Sequence, residues 1–194
     1  MNADTNHQGE REVSEDEWLL VVDMQRAFGA VGGVWEVEGF WDIMPRIERL
    51  VSAYKNRVIM TRYVSPDTLQ GAWIDYFHAY PSMNLPGDDP AWLIEVKETH
   101  GAPVETRTRF SKWDDHMASI IGPRARLAIC GVATECCVLA TVLAAIDDGR
   151  HVRLVADACA GATAEVHKST LAILASLRPL VELVQSKDVI KARE

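Results

Sequence analysis

The chain has 194 residues, of which 48% are hydrophobic, and a formal net charge of -8. This length and apolar content predict one globular domain with a sizeable core, and the acidic balance argues against nucleic acid or an anionic membrane as a partner. No apolar run approaches the roughly 20 residues of a membrane span, and the polar, acidic N-terminus is unlike a secretion signal. We therefore expect a cytoplasmic protein that acts on a small molecule and keeps its cysteines as thiols.

The first predicted element is a buried strand that follows a polar tail. Residues 1–17 lack a hydrophobic period and are assigned to the tail, and residues 18–194 are assigned to a single domain. The apolar run 18–22 ends in Asp23 and is followed by a glycine-rich loop. Because ligands bind at the carboxyl ends of the strands in open parallel sheets, Asp23 is a candidate site residue.

The middle of the chain combines a predicted helix, a second strand and a long aromatic stretch. Apolar residues at helical spacing predict the helix over 41–54. The stretch 62–103 is rich in aromatics and prolines, which is typical of a lid or a specificity wall, although it would also suit an oligomer contact. A short strand is predicted over 103–110, with Arg107 and Arg109 on one face.

The most informative stretch is a pair of cysteines between a predicted strand and a predicted helix. The apolar run 126–130 predicts a buried strand, and the apolar stripe within 139–146 predicts a helix. Cys136 or Cys137 therefore lies near a helix N-terminus, where the helix dipole and unpaired N–H groups favour a thiolate and can stabilise an oxyanion. Such a position suits a nucleophile.

The last third of the chain completes the alternation of strands and helices. We predict a strand over 151–156, a helix over 164–177 and a final strand over 180–184. Alternation of this kind predicts an α/β fold with three layers, α-β-α, in which helices cover a mostly parallel sheet of roughly six strands with Rossmann-like topology.

Four stretches of the chain together resemble the isochorismatase-like cysteine hydrolases, a superfamily that includes nicotinamidases, N-carbamoylsarcosine amidases and ureidoacrylate amidases. The matching stretches appear in the family's order and span residues 18–185. They are LVVDMQ at 20–25, the stretch 107–113, GVATECCV at 131–138, and VADA at 155–158 with His167 downstream.

The resemblance implies roles for individual residues. The family nucleophile is the cysteine directly before a valine, which is Cys137, and the family acid falls on Asp23 as general base and proton carrier. In many relatives the peptide between the residues equivalent to Val132 and Ala133 is cis. The N–H groups of Ala133 and Cys137 would then hold the oxyanion.

One departure from the family concerns its catalytic lysine. The position falls on Arg107, which can hold an oxyanion electrostatically but stays protonated and cannot shuttle protons. Arg109 or Lys112 could occupy the position instead. Because the family lysine reads as Arg107, a catalytically impaired, ligand-binding pseudoenzyme is an alternative.

A second departure concerns metal. Nicotinamidases carry an aspartate and two histidines at and just after the second strand, where this chain has TRYVSP at 61–66. We therefore expect no zinc site and no cofactor.

The resemblance implies hydrolysis of a small carbon-nitrogen substrate (an amide, a ureido compound or an N-carbamoyl compound) through a thioester, with vinyl-ether hydrolysis of the isochorismatase type as an alternative. It also implies a homo-oligomer, either a dimer or a tetramer. Arginine side chains hint that the substrate carries a carboxylate; they are Arg26, Arg62, Arg107 and Arg109. The candidate substrate-binding residues are Phe28, Trp35, Tyr63, Trp73, Arg109 and Phe110.

Overall fold

A computed structural model describes residues 17–193 of the chain. Its centre is a six-stranded sheet in the order β3-β2-β1-β4-β5-β6, and every neighbouring pair of strands is parallel. The predicted α/β class and six-stranded sheet are confirmed. The strands are β1 Glu17–Val22, β2 Val58–Tyr63, β3 Val104–Arg107, β4 Arg126–Val132, β5 Val152–Ala160 and β6 Val181–Val184.

Helices connect the strands. The long aromatic stretch, for which no helix was predicted, contains the helix α3 and two short 3-10 turns, at Pro81–Met83 and Pro90–Trp92. The helices are α1 Arg26–Gly29, α2 Phe40–Tyr54, α3 Ala72–Ala79, α4 Asp115–Ile121, α5 Leu139–Asp147, α6 Ala164–Ala175 and α7 Ser186–Lys191.

The strand order places a ligand-binding crevice between β1 and β4. After β1 the chain adds β2 and β3 on one side, and it then crosses to add β4, β5 and β6 on the other. Connections leave the sheet in opposite directions at such a switch point, which opens a crevice at the carboxyl ends of the two strands. Val22 and Gly131 are paired at these ends, so the segments after β1 and β4 begin side by side.

Close packing at the switch point requires glycine at position 131. Gly131 has a φ of 115°, and a Cβ atom there would lie 2.1 Å from the carbonyl oxygen of Val22. The central strands are buried on both faces: Leu19, Leu20 and Ile129 are fully buried. This burial explains why both strands read as continuous apolar runs.

Residue 17, which was assigned to the tail, begins β1, and residues 1–16 of the predicted tail lie outside the described residues. Among the helices of the described part, none is long and apolar enough to cross a membrane.

Candidate active site

Asp23 lies at the carboxyl end of β1 and is fully buried. Its φ is 48°, a left-handed conformation that aspartate tolerates better than most residues. Thr61, at the same edge of neighbouring β2, donates its hydroxyl to Asp23 Oδ1 at 2.7 Å and accepts the Asp23 amide N–H at 3.2 Å. One oxygen of the carboxylate is thereby held, and the other is left for a further partner.

That partner is Lys112. Its ammonium nitrogen lies 2.9 Å from Asp23 Oδ2, and both side chains are fully buried. Lys112 Nζ also donates to the carbonyl oxygen of Arg109 at 2.8 Å and lies 5.2 Å from the centre of the Tyr63 ring. A buried charge is tolerable only when paired and hydrogen-bonded, and both conditions are met for this pair.

Arg107, which was expected in the catalytic lysine's place, is not at the site. Its guanidinium binds Asp114 through two hydrogen bonds of 2.8 and 3.1 Å and forms an ion pair with Glu105. Asp114 caps α4 by accepting the Met117 amide, so Arg107 is drawn to this cap. Burial opposes ionisation of Asp114, but these contacts hold its pKa below the usual range. The assignment of Arg107 is wrong, and the alternative Lys112 lies beside the acid.

Cys137 follows β4 in a π-helical turn, Thr134–Val138, and only 4% of it is exposed. Burial raises the pKa of its thiol well above the ordinary value, and the nearby Asp23 carboxylate raises it further; Lys112 opposes both. The expected thiolate is therefore disfavoured in the free protein. Burial and a neighbouring carboxylate outweigh the helix N-terminus, so the thiol needs a base to become a nucleophile.

Thr141 links the cysteine to the lysine. Its hydroxyl donates to the carbonyl oxygen of Cys137 at 2.6 Å and accepts the amide N–H of Lys112 at 2.9 Å. One side chain on α5 therefore fixes both segments that carry reactive groups. Sequence patterns missed Thr141 and Thr61; the signal for Thr141 was a polar residue four positions after Cys137 on an otherwise apolar helix.

The peptide bond between Val132 and Ala133 is cis. The amides of Cys136 and Val138 donate to the carbonyl oxygen of Ala133, at 3.0 and 3.2 Å. Ala133 and Cys137 both line the cavity described next.

A cavity of about 200 Å³ opens over Cys137. Four of the six predicted substrate-binding residues line it, namely Phe28, Trp35, Tyr63 and Phe110. Trp73 and Arg109 were expected there and are not among its lining. Trp73 packs behind the wall, 5.2 Å from Phe110 between ring centres, and Arg109 points to Asp114 at 2.8 Å.

Further residues of the cavity wall come from α3, from the residue that follows it, and from the cysteine pair. Tyr76 and Tyr80 line it, and burial together with the neighbouring Cys136 raises the pKa of Tyr76 to about 12. Cys136 itself is half-buried and lines the cavity, and burial raises the pKa of its thiol. Both groups are neutral near pH 7, so the wall of the cavity at this point is uncharged.

The place where nicotinamidases carry metal ligands is used differently in this chain. Thr61 is bonded to Asp23, Tyr63 packs among the aromatic rings, and Ser65 donates to the carbonyl oxygen of Met83 at 2.7 Å. The described residues contain no group of three or more His, Cys, Asp or Glu side chains able to hold a metal ion. These residues do not fit a zinc ion.

The raised pKa of Cys137 predicts how its alkylation depends on pH. A thiol with a high pKa gains thiolate about tenfold per pH unit until the pKa is reached, so the rate with iodoacetamide should rise steadily from pH 7 to 9. The rate should be measured in the Cys136→Ala protein, in which Cys137 is the one thiol of the cysteine pair that can be labelled. A rate that levels off below pH 8 would mean that the thiol is already ionised.

Known proteins resemble this chain in sequence. A family model described as the isochorismatase domain matches residues 17–186. A probable inactive nicotinamidase of Arabidopsis thaliana is 30% identical over 167 residues, which cover 79% of this chain and 85% of that protein.

Two solved structures illustrate the similarity in three dimensions. A cysteine hydrolase from Pseudomonas syringae pv. phaseolicola superposes with a TM-score of 0.81 at 19% identity, over 94% of each chain. The pyrazinamidase of Pyrococcus horikoshii, in complex with zinc, superposes with a TM-score of 0.71 at 26% identity, over 88% of this chain and 99% of that one.

Proposed function

Because the chain belongs to the isochorismatase domain family, we propose that it is a cysteine-dependent hydrolase that cleaves a carbon-nitrogen bond of a small amide, ureido or N-carbamoyl compound. The observation that supports this most is the grouping of Asp23, Lys112 and Cys137. The thiol of Cys137 lines the cavity, and the acid and the cation form a fully buried ion pair whose charges both act on that thiol.

The proposed reaction has two halves. Cys137 Sγ attacks the carbonyl carbon while Asp23 takes the thiol proton, and Asp23 then gives that proton to the departing amine as the carbon-nitrogen bond breaks. Water attacks the resulting thioester, and Asp23 takes a proton from the water and returns it to the sulfur as the acid is released. The N–H groups of Ala133 and Cys137 are proposed to hold the oxyanion in both halves.

Lys112 has a positioning and electrostatic role in this scheme. Its ammonium group balances the buried Asp23 carboxylate and fixes the orientation of that carboxylate toward the sulfur. Because Lys112 is anchored at its amide to Thr141 and at its ammonium to the Arg109 carbonyl, it adds a charge that needs no rearrangement during the reaction.

Two other functions remain as alternatives. An isochorismatase-type vinyl-ether hydrolase would use the acid without the thiol. An inactive, ligand-binding protein is suggested by the name of the Arabidopsis relative and by Arg107 at the expected lysine position, but the pairing of Lys112 with Asp23 supplies the cation that Arg107 does not.

We also propose that the protein acts in the cytoplasm as a homo-oligomer. Apolar side chains on the outer faces of α5 and α6 support an assembly: Leu143, Val166 and Ile173 are 39%, 37% and 56% exposed.

The test of the proposed function is ammonia or amine release from a panel of small primary amides, ureido compounds and N-carbamoyl compounds. We expect the wild-type protein to turn over at least one class, with inactivation after full alkylation of Cys137. A vinyl-ether substrate is included, and hydrolysis of that compound alone, insensitive to alkylation, would replace this function by the isochorismatase type.

A further inference from the structure

The wall of the cavity over Cys137 is acidic and aromatic. Two carboxylates line it, Glu36 and Glu135, whereas no lysine, arginine or histidine among the residues that the structure describes does so. Lys112 is not among the lining residues, and it is already paired with Asp23. A ligand that enters therefore meets negative charge and no free positive charge.

Glu135 is the closer of the two carboxylates along the chain, two residues before Cys137. Its Oε1 accepts the amide N–H of Ala162 at 2.9 Å, and its Oε2 is buried without a hydrogen-bond partner in residues 17–193. Because Oε2 has no donor within the described residues, the charge of this carboxylate is left for a cation in the cavity to balance.

The nearest histidine does not cancel this charge. His167 shares a hydrogen bond of 2.8 Å between its Nδ1 and the hydroxyl of Thr134. Burial lowers the pKa of His167, although Glu135 opposes the change, so the imidazole is neutral near pH 7. His167 therefore brings no positive charge to Glu135.

Aromatic rings line the same cavity and would attract a cation. Trp35 is the centre of the group, with ring centres 6.0 Å from Phe28, 6.0 Å from Tyr76 and 6.3 Å from Tyr80, and all four residues line the cavity. Faces of Trp, Tyr and Phe attract ammonium groups, and the attraction grows where water is excluded.

The arginines that hinted at a carboxylate on the substrate are engaged elsewhere. None of them lines the cavity, and each has a protein partner. Arg26 binds Glu95, Arg62 binds Thr106, and Arg107 and Arg109 both bind Asp114. These arginines therefore give no support to a carboxylate on the substrate, since such a group would find no counter-ion and would face Glu36 and Glu135.

We propose that the substrate is a small amide with a cationic amine at the end remote from the scissile bond, held by Glu135 and the aromatic rings around Trp35. This inference rests on the proposed function and narrows it, because it excludes ureido acids and N-carbamoyl amino acids, which carry carboxylates.

Three primary amides of matched length test the proposal: 5-aminopentanamide, its neutral isostere hexanamide, and the monoamide of glutaric acid. Calorimetry with the Cys137→Ala protein measures binding apart from turnover. We expect the cationic amide to bind at least about tenfold more tightly than hexanamide and the carboxylate to bind most weakly. Equal or tighter binding of hexanamide, tightest binding of the carboxylate, or binding of none of them would overturn the proposal.

A charge-neutralising variant tests whether Glu135 causes the preference for the cationic amide over hexanamide. Glu135→Gln keeps an oxygen for the Ala162 amide and removes the charge, so the ratio of the two affinities should fall to within about threefold. Glu98→Gln, which removes an exposed carboxylate outside the cavity, is the matched control and should keep the ratio. A ratio unaffected by Glu135→Gln would overturn the role given to Glu135.

Turnover separates this proposal from the function on which it rests. If the wild-type protein cleaves no amide while the Cys137→Ala protein keeps the preference for the cation, the hydrolase function fails and the ligand class stands. If the carboxylate-bearing amide is cleaved best, the hydrolase function stands and the ligand class is wrong.

Discussion

The Cys137→Ala protein is expected to lose turnover by at least about 10³-fold while it keeps its fold. The thiol is the only group in the proposed reaction that forms a covalent bond to the substrate. The residual rate acceleration in the variant therefore comes from binding and from the oxyanion site. Because Cys137 is small and its removal leaves a cavity of one sulfur atom at most, we expect a loss in the free energy of unfolding of about 1 kcal/mol. Steady-state kinetics and thermal unfolding measure the two effects.

The matched control is the neighbouring thiol. Cys136→Ala removes a half-buried sulfur from the same turn, and turnover should stay within about tenfold of wild type. Loss of turnover in Cys136→Ala together with retention in Cys137→Ala would exchange the roles of the two cysteines. Retention in both variants would point to chemistry that depends on the acid alone.

The second large effect is expected at Lys112. Lys112→Met leaves the Asp23 carboxylate buried without its cation, which should cost about 3–5 kcal/mol in the free energy of unfolding and lower kcat/KM at least about 100-fold. Arg107→Gln is the control. It removes the ion pair with Asp114, so we expect a loss of about 1–3 kcal/mol in stability and a change in kcat/KM of less than about threefold.

A double variant keeps this prediction testable if Lys112→Met folds poorly. Asp23→Asn with Lys112→Met removes both buried charges, so stability should return toward that of the wild-type protein while turnover stays absent. If Arg107→Gln instead abolished turnover in a folded protein and Lys112→Met did not, the catalytic cation would be Arg107 after all.

Residues that chain order places at strand ends were accessible to prediction. Asp23 follows a continuous apolar run, and the cysteine pair lies between a strand and a helix, so parallel-strand topology alone brings both to one crevice. Lys112 was harder to place, because the predicted strand extended to residue 110 and the position of the catalytic lysine was assigned to Arg107 within it. In the structure β3 ends at Arg107, and the chain then turns so that Lys112 enters the core beside buried Trp113.

The electrostatic expectations failed for a common reason, which is that local partners were overlooked. Arg107 was expected as the catalytic cation and Arg109 as a substrate ligand, although Asp114 lies only seven and five residues downstream at a helix cap. The thiol of Cys137 was expected to ionise because of its place near a helix N-terminus. Burial and the adjacent Asp23 carboxylate reverse that tendency, and neither the depth of burial nor the position of Asp23 near the thiol is visible in sequence spacing.

Mass spectrometry of the wild-type protein, quenched in acid during turnover of a substrate found in the panel, tests whether Cys137 carries the acyl group. We expect a mass increase equal to the acyl group, located on the peptide that contains Cys137, removed by hydroxylamine and absent in the Cys137→Ala protein. An adduct on Cys136, or full turnover without an adduct that hydroxylamine or rapid quenching can reveal, would contradict it.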